Sequence, residues 1–346
     1  MKIVFFIILL FSVFKGHTQN KRTGRVVFEK ILATSLKENK GGENPLRSVA
    51  VYLPPGYDTG AQRYPVIYYL HGSEMNDTMF IEGAQFDKLL DKAIVSGKIR
   101  PIILVIPNEN TRFKGSFYTN SFVTGKWEDF TVKELVGFID KKYRTISDRS
   151  SRGLAGISMG GYGTLKLGML YPDVFGAIYA ESPAILGMCA DFSMNNPSMK
   201  IAQEAKNMDD LSKDFYAMAF VAIARAFSPN PDNPPFNCDL PVIYHGDSIS
   251  VNYDALKKWE SNFPLNMIDS HVKELKSLNA IKIDWGRNDE FFHIPLTSLL
   301  FSQKLEAFGI NHEAEMYLGD HSHKVWGPDG RWYNALLPFF ERNLKF

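Results

Sequence analysis

Gly156-Ile157-Ser158-Met159-Gly160-Gly161 has the spacing of a nucleophile elbow, G-x-S-x-G. In such an elbow a serine sits on a tight turn from strand to helix, with its hydroxyl projecting above the sheet. Glycine is needed on either side because a Cβ there would meet neighbouring backbone. The bare pattern also arises by chance, since glycine and serine are common. Its setting separates it from chance: a β run (Gly153 to Ala155) precedes it, and an apolar helix is expected from Met159 to Leu170. A serine hydroxyl is a poor nucleophile until a base takes its proton. Ser158 therefore predicts an acid and a histidine farther along, in that chain order.

The histidines after Ser158 are His245, His271, His293, His312, His321 and His323. His321 lies in Gly319-Asp320-His321-Ser322-His323, directly after an expected strand Ala314–Leu318, where a loop can carry a base to the elbow. His323 shares that loop and is the main competitor, while His293 and His312 read as loop or helix-end histidines. The acid is placed at Asp289, in the loop after an expected strand Ile281–Trp285. Glu290 is adjacent, and Asp284 falls inside the strand. The alternative for Asp289 is an ordinary loop aspartate capping a helix that starts near Pro295. A tetrahedral intermediate also needs hydrogen-bond donors for its oxyanion. The Met159 N–H is one candidate. The Ser73 N–H, in His71-Gly72-Ser73 after the expected strand Val66–Leu70, is the other, which makes His71 a structural neighbour and not a base.

These positions require a sheet that brings several strand ends together. Val26–Leu36 and Arg47–Leu53 flank the turn-forming segment Gly41-Gly42-Glu43-Asn44-Pro45 and read as an antiparallel hairpin. Val66–Leu70 and Ile102–Ile106 are continuous apolar runs suited to buried strands. Helices are expected at Phe86–Ile94, Phe130–Tyr143, Pro295–Phe308 and Trp332–Leu344, and a further strand at Ala177–Glu181. Strands alternating with helices predict an α/β domain with a mostly parallel, doubly wound sheet and an antiparallel N-terminal hairpin, spanning residues 26–344. The alternation stops at 184–280, a stretch rich in Met and Phe with prolines at 229–235. It reads as a largely helical cap insertion over the strand ends, or as a satellite core.

The chain of 346 residues carries 39 basic and 38 acidic side chains, a net charge of +1 that offers no nucleic-acid surface. No H-E-x-x-H or Cys/His cluster suggests a metal, and no cofactor is implied. Lys2 followed by the uncharged run Ile3 to Phe14, with Gly16 and Thr18 before Gln19, reads as a signal peptide over residues 1–18. That predicts a secreted or periplasmic protein without stable membrane insertion. Cys189 and Cys238 are either bridged, which export permits and their shared insertion favours, or two thiols. The oligomeric state stays open.

The chain resembles the "putative esterase" family of α/β hydrolases, which includes esterase D-type enzymes, feruloyl esterases and mycolyl transferases. The matching residues are Tyr69-Leu70-His71-Gly72, Trp127-Glu128-Asp129-Phe130 with Glu134-Leu135, Tyr143-Arg144, Gly156 to Gly161, Gly286 to Asp289, and His321 followed by Trp326. The resemblance runs from about Val26 to Phe340 and implies the α/β-hydrolase fold with the same three catalytic positions. It departs at 184–280, where substrate choice is expected to be made. It implies a serine carboxylic ester hydrolase that removes acyl groups such as feruloyl or acetyl from plant polysaccharide. An acyl transferase using the same three residues, and an inactive binding protein on the same scaffold, are the alternatives.

Overall fold

The computed structural model describes residues 23–346 apart from residue 247. The expected signal segment lies outside the described residues. In chain order the strands are β1 (Arg25–Leu32), β2 (Leu46–Leu53), β3 (Val66–Leu70), β4 (Ile103–Pro107), β5 (Asn120–Ser121), β6 (Gly125–Lys126), β7 (Arg152–Ile157), β8 (Ala177–Glu181), β9 (Val242–His245), β10 (Ser248–Val251), β11 (Ala280–Gly286) and β12 (Glu313–Tyr317). Eight of them form one sheet, ordered β1-β2-β4-β3-β7-β8-β11-β12. β1 and β2 pair antiparallel, as do β2 and β4. From β4 through β3 to β12 every neighbouring pair is parallel.

A parallel sheet has helices on both faces, so its inner strands must be apolar on both sides. β3, β4, β7 and β8 are buried at every position. Their side chains alternate between two cores. Val66, Tyr68 and Leu70 face the helical stretches 127–142, 159–170 and 293–307. Ile67 and Tyr69 face the helix Phe86–Val95 and the C-terminal helical segment 332–343. There the rings of Phe86 and Trp332 stack 3.9 Å apart, and Tyr69 meets Phe86 edge-on at 5.3 Å.

The expected elements differ from the observed ones mainly at their ends. β1 stops at Leu32, short of Leu36. Thr34 and Ser35 turn their N–H groups away from the ladder and onto the carboxylate of Glu134, at 2.7 and 2.6 Å. The helices expected over 130–143 and 332–344 each contain a π-helical turn, at Phe130–Leu135 and Trp332–Leu336.

Between β8 and β11 the chain forms helices at Ser198–Glu204, Phe215–Phe227, Tyr253–Glu260 and shorter pieces. Within this insertion, expected to be largely helical, β9 and β10 also form an antiparallel hairpin. Of the two alternatives for the cysteines, the bridge is absent. Cys189 and Cys238 are both free thiols, and burial pushes Cys238 up to about 12.

The turn after β7 packs directly on the backbone of β3. A Cβ at Gly160 would lie 2.0 Å from the Leu70 carbonyl oxygen, and one at Gly156 would lie 2.6 Å from the same atom. Both obstacles are backbone in a central strand and cannot swing aside. Gly160→Ala should therefore destabilise the fold by about 3 kcal/mol, the upper range for overpacking. Urea unfolding measures it, and an unchanged midpoint would contradict the packing described.

Candidate active site

In the parallel part of the sheet all strands point the same way, so the loops after β3, β7, β8, β11 and β12 meet at one edge. The loops after β3, β7, β11 and β12 carry the candidate residues Ser73, Ser158 with Met159, Asp289 and His321, and the segment after β8 adds cavity wall. Ser158 follows β7 directly and takes the left-handed conformation (φ 57°, ψ −117°) before the helix Met159–Leu170 begins. Its backbone is bonded on both sides. The Ser158 N–H donates to the Glu181 carbonyl at 3.0 Å, and its carbonyl accepts from Tyr162 and Ala184 at 2.9 and 3.0 Å.

His321 Nδ1 lies 2.8 Å from Asp289 Oδ2, and the Asp289 side chain is fully buried. Asp289 Oδ1 accepts from the Phe291 N–H at 2.9 Å, so both carboxylate oxygens have partners. With Nδ1 donating to the carboxylate, the ring's Nε2 is the free acceptor. His321 and Ser158 line the same cavity of about 210 Å³. The structure gives the Ser158 hydroxyl no direct bond to the ring, a contact that in unliganded sites is often long and tightens with substrate.

The histidine loop is fixed by its neighbours. Glu290 accepts from the His321 N–H at 3.1 Å. Arg287 and Asn288 donate backbone N–H groups to Tyr317 and Gly319, both at 2.8 Å, stitching the two loops together. A side chain at Gly286 would collide with the Asp320 carbonyl oxygen at 2.4 Å. Asp284, the alternative acid inside β11, is spent elsewhere. Its Oδ2 accepts from Tyr179 and Arg331 at 2.7 and 3.1 Å, and burial raises its pKa. Arg331 in turn donates to the His323 carbonyl at 2.6 Å. His323 is exposed and does not line the cavity.

Gly72 packs against Ser158, since a Cβ there would be 3.4 Å from Ser158 Cβ. Ser73 lines the same cavity. Around it the Glu74 N–H donates to Lys114 O and the Met75 N–H to Gly72 O, at 2.9 and 3.3 Å. The Ser73 N–H has no acceptor among the described residues. The Met159 N–H belongs to the first turn of its helix, where no intrahelical carbonyl is available. Two unspent N–H groups thus flank Ser158, one of them at the positive end of a helix.

The walls come from residues the motif reading did not reach. Ile185, Phe192, Phe215 and Ile223 come from the segment after β8, Phe117 from the loop after β4, and Phe291 from the loop after β11. Their apolar character was visible in the sequence, but their convergence was not. No cluster of three or more metal-ligating side chains occurs among the described residues, and no helix there is long and apolar enough to cross a membrane.

A parallel sheet with a strained serine at one strand end, and a histidine–carboxylate pair facing it from the last two, defines the α/β-hydrolase class. The family described as "Putative esterase" matches residues 44–329, and the chain belongs to that family. It is 36% identical over 137 residues to an endo-1,4-beta-xylanase/feruloyl esterase of Xylanibacter ruminicola, covering 38% of this chain and 19% of that one. It is 35% identical over 147 residues to an esterase of Mycobacterium tuberculosis, covering 42% and 30%. The chain thus spans between about a fifth and a third of the length of these curated relatives. Among solved structures, a ferulic acid esterase superposes with a TM-score of 0.64 at 22% identity, covering 93% of this chain and 99% of the other. An S-formylglutathione hydrolase from Agrobacterium tumefaciens gives 0.62 at 16%, covering 94% and 97%.

His71 is fully buried, with Nδ1 2.7 Å from the Gly72 carbonyl and Nε2 accepting from the Glu109 N–H at 2.8 Å. Neither nitrogen is free to act as a base. Burial, reinforced by nearby Arg47 and opposed by the Gly72 bond, lowers its pKa to about 4. The unfolded chain takes up a proton near pH 6.5 and the folded one only near 4. Stability is therefore complete above pH 6.5 and declines through that window as pH falls, by about 3 kcal/mol in all. His71→Gln should flatten this acid dependence, measured by urea unfolding between pH 7 and 4. An unchanged slope would contradict the buried neutral imidazole.

Proposed function

We propose that the protein is a serine carboxylic ester hydrolase working through an acyl-enzyme. The observation that carries the proposal is the placement of Ser158 and the Asp289-paired His321 on one cavity at the strand ends. His321 Nε2 takes the proton from Ser158 as its Oγ attacks the ester carbonyl. Asp289 holds the imidazole in the required tautomer and stabilises its charge. The Met159 and Ser73 N–H groups bind the oxyanion. As the tetrahedral intermediate collapses, the imidazolium returns the proton to the departing alkoxide and leaves an ester on Ser158. Water, deprotonated by the same nitrogen, then releases the acid.

The substrate reading is an acyl group such as feruloyl or acetyl on plant polysaccharide, met outside the cell. Three things support it: the aromatic walls of the cavity, the xylanase/feruloyl esterase relative, and the expected signal segment at residues 1–18. The segment 184–280 acts in this reading as the cap that selects the acyl group.

Ser158→Ala should fold normally and lose a factor of about 10⁶ in kcat on a p-nitrophenyl ester. A fluorophosphonate probe should label the wild type at Ser158 and nowhere else. His321→Ala should lose several orders of magnitude, whereas His323→Ala should stay within about tenfold, since only its carbonyl is engaged. An active Ser158→Ala, or an inactive His323→Ala beside an active His321→Ala, rejects the assignment.

A further inference from the structure

A second histidine–aspartate pair lies on the same cavity. His293 begins the helix His293–Ala307 and is 4% exposed. Asp191, from the segment after β8, accepts from the His293 backbone N–H at 2.7 Å and lies 3.1 Å from its Nδ1. The other oxygen of Asp191 accepts from the Tyr216 hydroxyl at 2.5 Å. The carboxylate therefore fixes the proton on Nδ1 and leaves Nε2 as a bare acceptor. Nε2 is buried and has no partner. Buried acceptors are nearly always satisfied, so an unsatisfied one calls for an explanation.

The surroundings supply one. His293 lines the cavity with Ser158 and His321. The Phe291 ring neighbours both imidazoles, 4.9 Å from that of His321 and 6.4 Å from that of His293. The Phe192 ring flanks His293 at 5.4 Å. A group attached to Ser158 would share this cavity with aromatic rings and one fixed acceptor.

We infer that His293 Nε2 is a specificity element that accepts a hydrogen bond from a hydroxyl on an aromatic acyl group carried by Ser158. The inference rests on the ester-hydrolase reading above and adds a residue that selects within it. Asp191 is a positioning residue, acting only through the tautomer of His293. A site built to bond a substrate hydroxyl discriminates strongly against analogues that lack it.

The test uses methyl cinnamate, its three ring-monohydroxylated isomers and the corresponding methyl ethers, with kcat/KM measured for each. In the wild type at least one hydroxylated isomer should exceed both the parent ester and its own methyl ether by about tenfold or more. In His293→Leu that ratio should fall to near one, and His293→Gln, which keeps an acceptor, should restore part of it. General damage to the site lowers all the esters together and leaves the ratio standing. Ratios near one for every isomer in the wild type, or a ratio unchanged in His293→Leu, overturn the inference. The wild-type comparison decides even where a variant does not fold. Loss of all turnover, p-nitrophenyl acetate included, with no probe label on Ser158 would instead overturn the ester-hydrolase reading itself.

Discussion

Ser158 holds a left-handed backbone conformation that L-residues rarely adopt, and the local packing leaves it no alternative. Gly156 and Gly160 let β7 and the following helix close to contact distance on the Leu70 carbonyl of β3. The Ser158 N–H and carbonyl are bonded to the chain leaving β8. Relaxing the turn would break those bonds and pull the helix from the sheet. The helix is buried along nearly its whole length, its one charged side chain, Lys166, included, so it has no solvent face to turn outward. The cost of the strained residue is borne by the core of the whole α/β sheet, which is how such strain persists at functional sites.

The opposite wall is built by different physics. The Asp289–His321 pair sits on two loops, and loops need fixing if they are to hold geometry to a fraction of an ångström. Backbone bonds from Arg287 and Asn288 join the two loops. Beneath them Asp284 holds Arg331, which stacks 3.6 Å over Tyr317 and reaches the His323 carbonyl. Glu181, at the end of β8, is buried beside the same arginine, and burial raises its pKa to about 8. Arg331 thus pairs with Asp284, while Glu181 beside it accepts from the Tyr69 hydroxyl. Neither carboxylate faces Ser158 through a shared cavity.

The sheet was legible in the sequence because its inner strands are short apolar runs punctuated by Pro and Gly, and each chemistry-bearing residue directly follows one of them. Ser158, Asp289, His321 and Ser73 are candidates from the Gly-x-Ser-x-Gly motif, the chain order of acid and base, and these strand ends, and the structure brings Ser158, Ser73 and His321 onto one cavity with Asp289 bonded to His321. The β9–β10 hairpin was not legible. Its strands are only four residues long and mostly exposed, too short for Ser248-Ile249-Ser250-Val251 to stand out as a strand. It is held partly by the Gln203 side-chain amide, which bonds both backbone groups of Tyr244, a contact across 41 residues. The Asp191–His293 pair was equally hidden, because 102 residues separate its members. Two thiols in one insertion suggested a bridge, but a shared insertion does not bring two Cα atoms within bridging distance.

The central claim is that Ser158 carries the acyl group during turnover. Rapid quenching of the enzyme with an activated aromatic ester, followed by mass spectrometry of its peptides, observes that species directly. The account predicts one added acyl mass on the peptide containing Ser158, formed within the first turnover and lost as acid is released. It predicts no such mass in Ser158→Ala. Acyl mass on any other residue, or full turnover by Ser158→Ala, would contradict it.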